Sequence, residues 1–351
     1  MKKRSFHVNF QLNGIHFSSD KEVLAYCKKE DTSLKEFLTD WFDEKEYVIV
    51  KTSGSTGTPK PIQLKKEYMK NSTLATGEFF NIKEKTTALL CLSVDYIAGK
   101  MMLVRALTLG WHLDIVAPIS NPLIKTEKVY DFSAMVPLQL ENSLQDIHRI
   151  KKLIVGGGVV SGSLRKQLQD IPTKVYATYG MTETITHIAV KKLNHIDRIP
   201  NFYKVLTNVQ IYRDDRNCLL IKAPKVSDEM VVTNDIVQLV SDTQFEWLGR
   251  YDNVINSGGV KLHPEQIEEK LAQILTNRFF VAGIPDEKLG EKLILIIEDN
   301  ATSNAVEKLN KQISQLTTLH KYEIPKEIYF VKQFIETETK KIQRTKTLEL
   351  I

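Results

Sequence analysis

Short apolar runs bounded by turn residues recur in the first half of the chain: EYVIV (46–50), TTALLCLS (86–93), KKLIV (151–155) and KVYAT (174–178). Continuous apolar runs of this length predict strands. Between the last two lies SGSLRKQLQD, where Ser161 stands in a helix N-cap position and Leu164 and Leu168 share one helical face. Strands alternating with helices predict an α/β core.

Near residue 250 the texture changes. WLGRYDNVINSGGVKLHPEQIEEKLAQIL passes from a turn-rich segment into a helix, with Pro264 suited to its first turn and Ile267, Leu271 and Ile274 as its apolar stripe. Strand-like RFFVAGI and KLILIIED follow, then a helix presenting Val306, Leu309, Ile313 and Leu316, then the strand-like EIYFVKQF. The pattern predicts two domains: residues 1–251, large, layered and α/β, and residues 252–351, small and α+β. A tail of about a hundred residues is within the usual domain range. No internal repeat or low-complexity tract interrupts this order.

The 351 residues, 42% of them hydrophobic, are enough for two buried cores. The net charge of +5 comes from 48 basic and 43 acidic residues scattered rather than blocked, which speaks against a nucleic-acid partner and suits small polyanionic ligands. Cys27, Cys91 and Cys218 are far apart and have no CxxC spacing, so they are expected to be reduced thiols of a cytoplasmic protein. Lys2, Lys3 and Arg4 precede a mixed stretch rather than an apolar one, which argues against a signal peptide, and nothing approaches the length of a membrane span.

The most informative stretch is KTSGSTGTPKPIQL (51–64), set between a strand-like run and a helical one. Gly54 and Gly57 let the backbone turn its N–H groups onto an anion, Thr52, Ser53, Ser55 and Thr56 add hydroxyls, and Lys60 adds a charge. Composition alone leaves open a flexible connector and a phosphate loop. Thr58 and Pro59 after Gly57 rule out a Walker A loop. Gly156, Gly157 and Gly158 form a second glycine cluster, but Ser161 stands where GxGxxG needs its third glycine, so a dinucleotide fold is disfavoured.

TSGSTGTPK resembles the signature loop of the ANL superfamily of adenylate-forming enzymes, and further motifs follow in that family's order. YGMTE (179–183) is similar to its adenine-binding motif. The resemblance implies that Tyr179 and Gly180 lie against adenine, that Thr182 bonds phosphate and that Glu183 holds Mg²⁺, a role suited to a carboxylate oxygen. VGGG (155–158) is similar to the segment along the adenine ring. Asp235 matches the acidic ribose ligand, with Asn234 where the family has glycine. Gly249–Arg250 matches the pair that reads ribose and phosphate, and Asp252 the hinge about which the small domain moves. Gly258 and Gly259 resemble the motif that approaches the pantetheine channel, although such a pair is also an ordinary turn. TKKIQR places Lys341 at the catalytic lysine, with Lys340 replacing a glycine.

By resemblance, then, the chain is an ANL-fold ligase that uses ATP, Mg²⁺ and coenzyme A. A carboxylic acid would be activated as an acyl-AMP, with Lys341, Glu183 and Thr182 serving the phosphorus chemistry, and then passed to the thiol.

The acid is addressed by LSVDYIAGKMMLVRAL (92–107), where Tyr96 replaces the histidine of many relatives and Lys100 and Arg105 follow on a helix. A cation in an acyl pocket calls for an anion. The two cations either meet a second substrate carboxylate or serve solvent and structural ion pairs. The segment looks like that of the o-succinylbenzoate-CoA ligases of menaquinone biosynthesis, which implies that acid. Another aryl or acyl acid, a carrier-protein acceptor, or a silent nucleotide-binding module are the competing readings. The glycine loop begins near residue 52, so much of the usual preceding subdomain is missing. Its share of the pocket wall is either absent or supplied by residues 1–45 or by a second subunit, which makes a homo-oligomer one expectation.

Overall fold

The computed structural model describes residues 4–27, 32–51, 61–196, 200–300, 303–337 and 342–351. The chain opens with β1 (Gln11–Leu12), β2 (Ile15–His16), α1 (Asp20–Cys27), α2 (Thr32–Phe42), β3 (Tyr47–Lys51), β4 (Pro61–Lys65) and α3 (Lys66–Phe80). The alternating part follows: β5 (Thr87–Leu90), α4 (Ile97–Leu109), β6 (His112–Ile115), β7 (Tyr130–Met135), α5 (Pro137–Asn142), β8 (Ile150–Val155), α6 (Gly162–Gln167) and β9 (Lys174–Gly180). Strands β5 to β9 run parallel in the order β9-β8-β7-β5-β6, and β1 extends the sheet in parallel beside β6.

Burial follows the two-residue period of the pleat. Ala88, Leu90, Phe132, Ala134 and Ile154 face the cluster that holds Met101, Leu103 and Val104 of α4 and Met69 of α3. Leu89, Leu153, Val155 and Val175 face the opposite cluster with Leu140 of α5 and Leu164 of α6. A parallel sheet covered on both faces needs apolar residues at every position, which is why these strands read as continuous runs. The Ser161 cap forms as expected, its Oγ accepting from the Leu164 N–H at 3.1 Å.

Six strands then continue the sheet antiparallel: β10 (His187–Lys192), β11 (Tyr203–Val205), β12 (Gln210–Arg213), β13 (Cys218–Lys222), β14 (Val231–Ser241) and β15 (Gln244–Arg250). The sequence pattern did not announce them. The β14–β15 pairing shifts register between Ile236 and Val237 and again between Leu239 and Ser241, and such bulges break the simple alternation. A second departure concerns the glycine loop. The segment after it enters β4 before α3 begins, and β3 and β4 form a separate hairpin with Lys51 opposite Pro61. Proline, lacking an N–H, is tolerated there as the first residue of a strand.

A further sheet comprises β16 (Ile255–Ser257), β17 (Val260–Leu262), β18 (Phe279–Asp286), β19 (Gly290–Glu298) and β20 (Glu327–Val331), accompanied by α7 (Pro264–Leu271), α8 (Ser303–Ser314) and α9 (Arg344–Leu348). Its core is its own: Ile267 and Leu271 of α7 pack with Val281, Leu293, Leu295 and Ile297. Polar bonds hold its near side. Arg165 on α6 pairs with Glu269 on α7 at 2.6 Å, and Asn253 donates to Glu265 at 2.5 Å.

Candidate active site

In open α/β sheets, ligands bind beyond the carboxyl ends of the parallel strands. Three of the predicted segments emerge there: Tyr96 after β5, Gly156–Gly158 after β8, and Gly180–Glu183 at the end of β9. Backbone crowding fixes the last of these. A Cβ on Gly180 would run into the Thr186 carbonyl oxygen and the His187 backbone, so the tight return from β9 to β10 requires glycine. Glu183 is exposed at the mouth of this return. Among the described residues no cluster of three or more His, Cys, Asp or Glu forms a metal cage. A single oxygen ligand shared with substrate phosphates is the mode that suits magnesium.

Tyr179 on β9 meets a residue of β14, although β10, β11 and β15 lie between the two strands in sheet order. Its hydroxyl donates to Asp235 on β14 at 2.7 Å, and its ring packs edge-on against Tyr203 and Phe245. Burial, then the neighbouring Asp235 charge, pushes the phenol well above its ordinary pKa, so it stays a donor. Asp235, 7% exposed, also accepts from Trp247 Nε1 at 3.1 Å and lies 3.7 Å from Arg250 Nη1. Arg250 Nη2 in turn meets Asp252 at 3.2 Å, and Asn234 Nδ2 reaches the same carboxylate at 3.2 Å. Tyr179, Asp235, Arg250 and Asp252 are thus one connected network. Asn234, the departure from the family pattern, has work of its own: it ties the strand before Asp235 to Asp252. Trp247 was missed, since nothing in a lone strand tryptophan signals that its indole will orient an aspartate.

Gly258 and Gly259, both at positive φ, form the tip of the β16–β17 hairpin, where Ser257 pairs with Val260. Left-handed conformation at both central residues is what a type I′ turn demands. The hairpin therefore accounts for the pair without a ligand. The loop residues Thr52, Ser53, Gly54, Ser55, Thr56, Gly57 and Lys60, together with Lys341, lie outside the described residues.

The two cations of α4 differ. Lys100 Nζ donates to the carbonyl oxygens of Val94 and Asp95 in the preceding turn and sits 5.4 Å from the Phe37 ring centroid on α2. Arg105 is 2% exposed, and its Nε and Nη2 have no hydrogen-bond partner among the described residues. Burial pushes its pKa down to about 10, and no carboxylate opposes that shift. Nearby, His187 is buried and held neutral, first by burial and then by the Arg105 charge, with Thr76 Oγ1 3.4 Å from its Nε2. The Thr73 hydroxyl on the same helix is buried without a partner. His187 and Thr73 were also missed, because their meaning lies in what surrounds them.

A family model described as AMP-binding enzyme matches residues 15–234. The chain belongs to this family. A solved AMP-binding relative, the acyl-CoA synthetase (AMP-forming)/AMP-acid ligase II-like protein of Dyadobacter fermentans, is 38% identical, with a TM-score of 0.60 over 93% of this chain and 97% of that one. The 2-succinylbenzoate–CoA ligase of Listeria monocytogenes is 26% identical over 93% of this chain and 75% of the relative. That of Lactococcus lactis is 24% identical over 87% and 71%. The Bacillus subtilis o-succinylbenzoate coenzyme A synthetase in complex with ATP and magnesium shares the fold at 19% identity, with a TM-score of 0.72 over 94% and 82% of the two chains. The expected large layered α/β architecture is therefore that of the AMP-binding enzymes.

Proposed function

We propose that this AMP-binding enzyme is an acid–CoA ligase that activates o-succinylbenzoate with ATP and delivers the acyl group to coenzyme A. The observation that carries the acid assignment is Arg105. Its two partnerless groups, Nε and Nη2, form the side-on fork of a guanidinium, which presents parallel N–H bonds to both oxygens of one carboxylate. An acid with two carboxylates can bind there with one and react with the other. The names of the Listeria and Lactococcus relatives support the same acid.

In the first step a carboxylate oxygen attacks the α-phosphorus of ATP, and the bond to the bridging oxygen breaks as pyrophosphate leaves. In the second, the coenzyme A thiolate attacks the acyl carbonyl and AMP departs. Asp235, held by Tyr179 and Trp247, accepts from the ribose hydroxyls, and Arg250 is placed to read ribose and phosphate. Thr182 and the hydroxyls of residues 52–56 donate to phosphate oxygens, and Lys341 brings positive charge to the phosphorus. Glu183 is the carboxylate that would hold Mg²⁺, which when bound neutralises phosphate charge. We place the domain boundary at Asp252, with Gly258 and Gly259 turning toward the pantetheine in the second step. No helix among the described residues is long and apolar enough to cross a membrane, and the buried thiols Cys27, Cys91 and Cys218 suit a reducing cytoplasm.

Lys341→Ala tests the division of labour. Pyrophosphate exchange into ATP, dependent on o-succinylbenzoate, should be lost, while supplied acyl-AMP is still converted by coenzyme A. Equal loss of both steps would overturn the lysine's role. Silence of the wild-type chain across benzoate, o-succinylbenzoate and a medium-chain fatty acid would leave a nucleotide-binding module.

A further inference from the structure

A cavity of about 650 Å³ lies where β12–β15 of the large sheet meet the turn at Tyr251 and the β17–α7 corner of the second sheet. Tyr179 and Asp235 do not line it, although Arg216 of its wall donates to Asn234 Oδ1 at 3.0 Å and so abuts the Asn234–Asp252 end of their network. Leu248, the bulged residue of β15 between Trp247 and Gly249, lines the cavity together with Ile236 and Val237 of β14. The lining is cationic. Arg213 and Arg216 come from one wall and Lys261 from the other, beside His263 at the start of α7; burial lowers the His263 pKa, so that it serves as a neutral N–H donor, and no carboxylate is among the lining residues. Arg216 is already matched, its Nη2 2.8 Å from Asp214, and its guanidinium lies 5.2 Å from the Tyr251 ring centroid, which it orients. Arg213 and Lys261 have no ion-pair partner among the described residues. His263 Nδ1 is buried without a hydrogen-bond partner.

We propose that this cavity binds a small phosphate-bearing molecule with a flat apolar body, its phosphate held by Arg213, Lys261 and His263 and its body laid against Tyr251 and Leu248. Phosphate fits better than carboxylate because the donors converge from two walls. Three tetrahedrally arranged oxygens can answer such a set, whereas a planar carboxylate answers a single fork. The volume is that of an ordinary small-molecule pocket. Since the two walls belong to different sheets, an occupant binds this mutual arrangement in preference to any in which they part, and therefore biases the protein toward it.

The test uses the full chain and 1-naphthyl phosphate, with 1-naphthol as the uncharged comparison, followed by isothermal titration calorimetry. One molecule should bind per chain, and 1-naphthol should not. The double substitution Arg213→Gln with Lys261→Gln, at two exposed positions that the fold does not need, should weaken binding about tenfold or more. Asp235→Asn should leave it unchanged. Absence of binding, equal binding to the double variant, or loss through Asp235→Asn would each overturn the assignment; the last would move the probe to the nucleotide cleft. Because activity is not the readout, this outcome is independent of the proposed reaction.

Discussion

Replacing Arg105 by methionine should make the protein more stable and less able to use its acid. Burial lowers the guanidinium pKa from its ordinary value to about 10, which sets the order of magnitude of what burial costs the charged form. At about 1.4 kcal/mol per decade, that is roughly 3 kcal/mol. The sign follows from a folded-state pKa below the unfolded one: the penalty is full at every pH below about 10 and is relieved only above it. Methionine fills a similar volume without charge, as in other buried ion sites where apolar replacement stabilises. For a chain of this size the gain corresponds to a rise in Tm of about 4 °C, read by calorimetry at neutral pH. Losing one partner of a buried charge pair costs about 2–5 kcal/mol, so kcat/KM for o-succinylbenzoate should fall by about two to three orders of magnitude. The KM for ATP should hold, and any turnover of benzoate, which lacks the second carboxylate, should be unchanged. A lower Tm with an unchanged preference between the two acids would show that the guanidinium is structural and that the fork has been misread.

Asp235→Asn leaves an amide where two donors, the Tyr179 hydroxyl and Trp247 Nε1, now converge on a carboxylate; loss of charge-assisted bonds should raise the KM for ATP about tenfold to a hundredfold in the exchange assay. Gly180→Ala forces a Cβ into the backbone at Thr186 and His187, and because backbone cannot swing aside, it should cost about 2–3 kcal/mol in urea denaturation. Glu268 accepts from Arg344 at 2.8 Å and from the Val281 N–H at 2.9 Å, yet burial outweighs Arg344 and raises its pKa to about 7. A carboxyl with a raised folded-state pKa contributes stability below its unfolded pKa, and that contribution is lost as pH rises through about 7. Tm should therefore decline over this range, and Glu268→Gln should flatten the decline; an unaltered slope would remove Glu268 as its source.

How much of this was legible depended on whether a residue's meaning was local. The parallel strands could be read because burial on both faces writes itself as an unbroken apolar run, as in KKLIV. The antiparallel half could not, since bulges at Val240 of β14 and Leu248 of β15 shift the period that would have revealed it. The same division holds in the site. Gly180 and Gly156–Gly158 follow strands directly and belong to recognisable spacings. Asp235 was placed by its motif, but Trp247 meets it through the β14–β15 pairing and Tyr179 from β9, with three strands between in sheet order, and no spacing announces either.

The pair Lys100 and Arg105 shows why a shared helix did not mean a shared role. Both were candidates for a substrate anion on chemistry alone. The short N-terminal segment separates them: α2 places Phe37, Leu38 and Trp41 in the core cluster that contains Met101 and Met102, and Phe37 lies beneath the Lys100 ammonium. Residues before the glycine loop thus occupy the flank of the Tyr96–Lys100 turn. With α2 there and the carbonyl oxygens of Val94 and Asp95 accepting its protons, Lys100 is satisfied by the fold. Arg105, about one and a half turns further along α4 and buried, has no carboxylate to meet among the described residues. A charge kept at a cost of about 3 kcal/mol with no structural partner is better explained by a ligand than by stability.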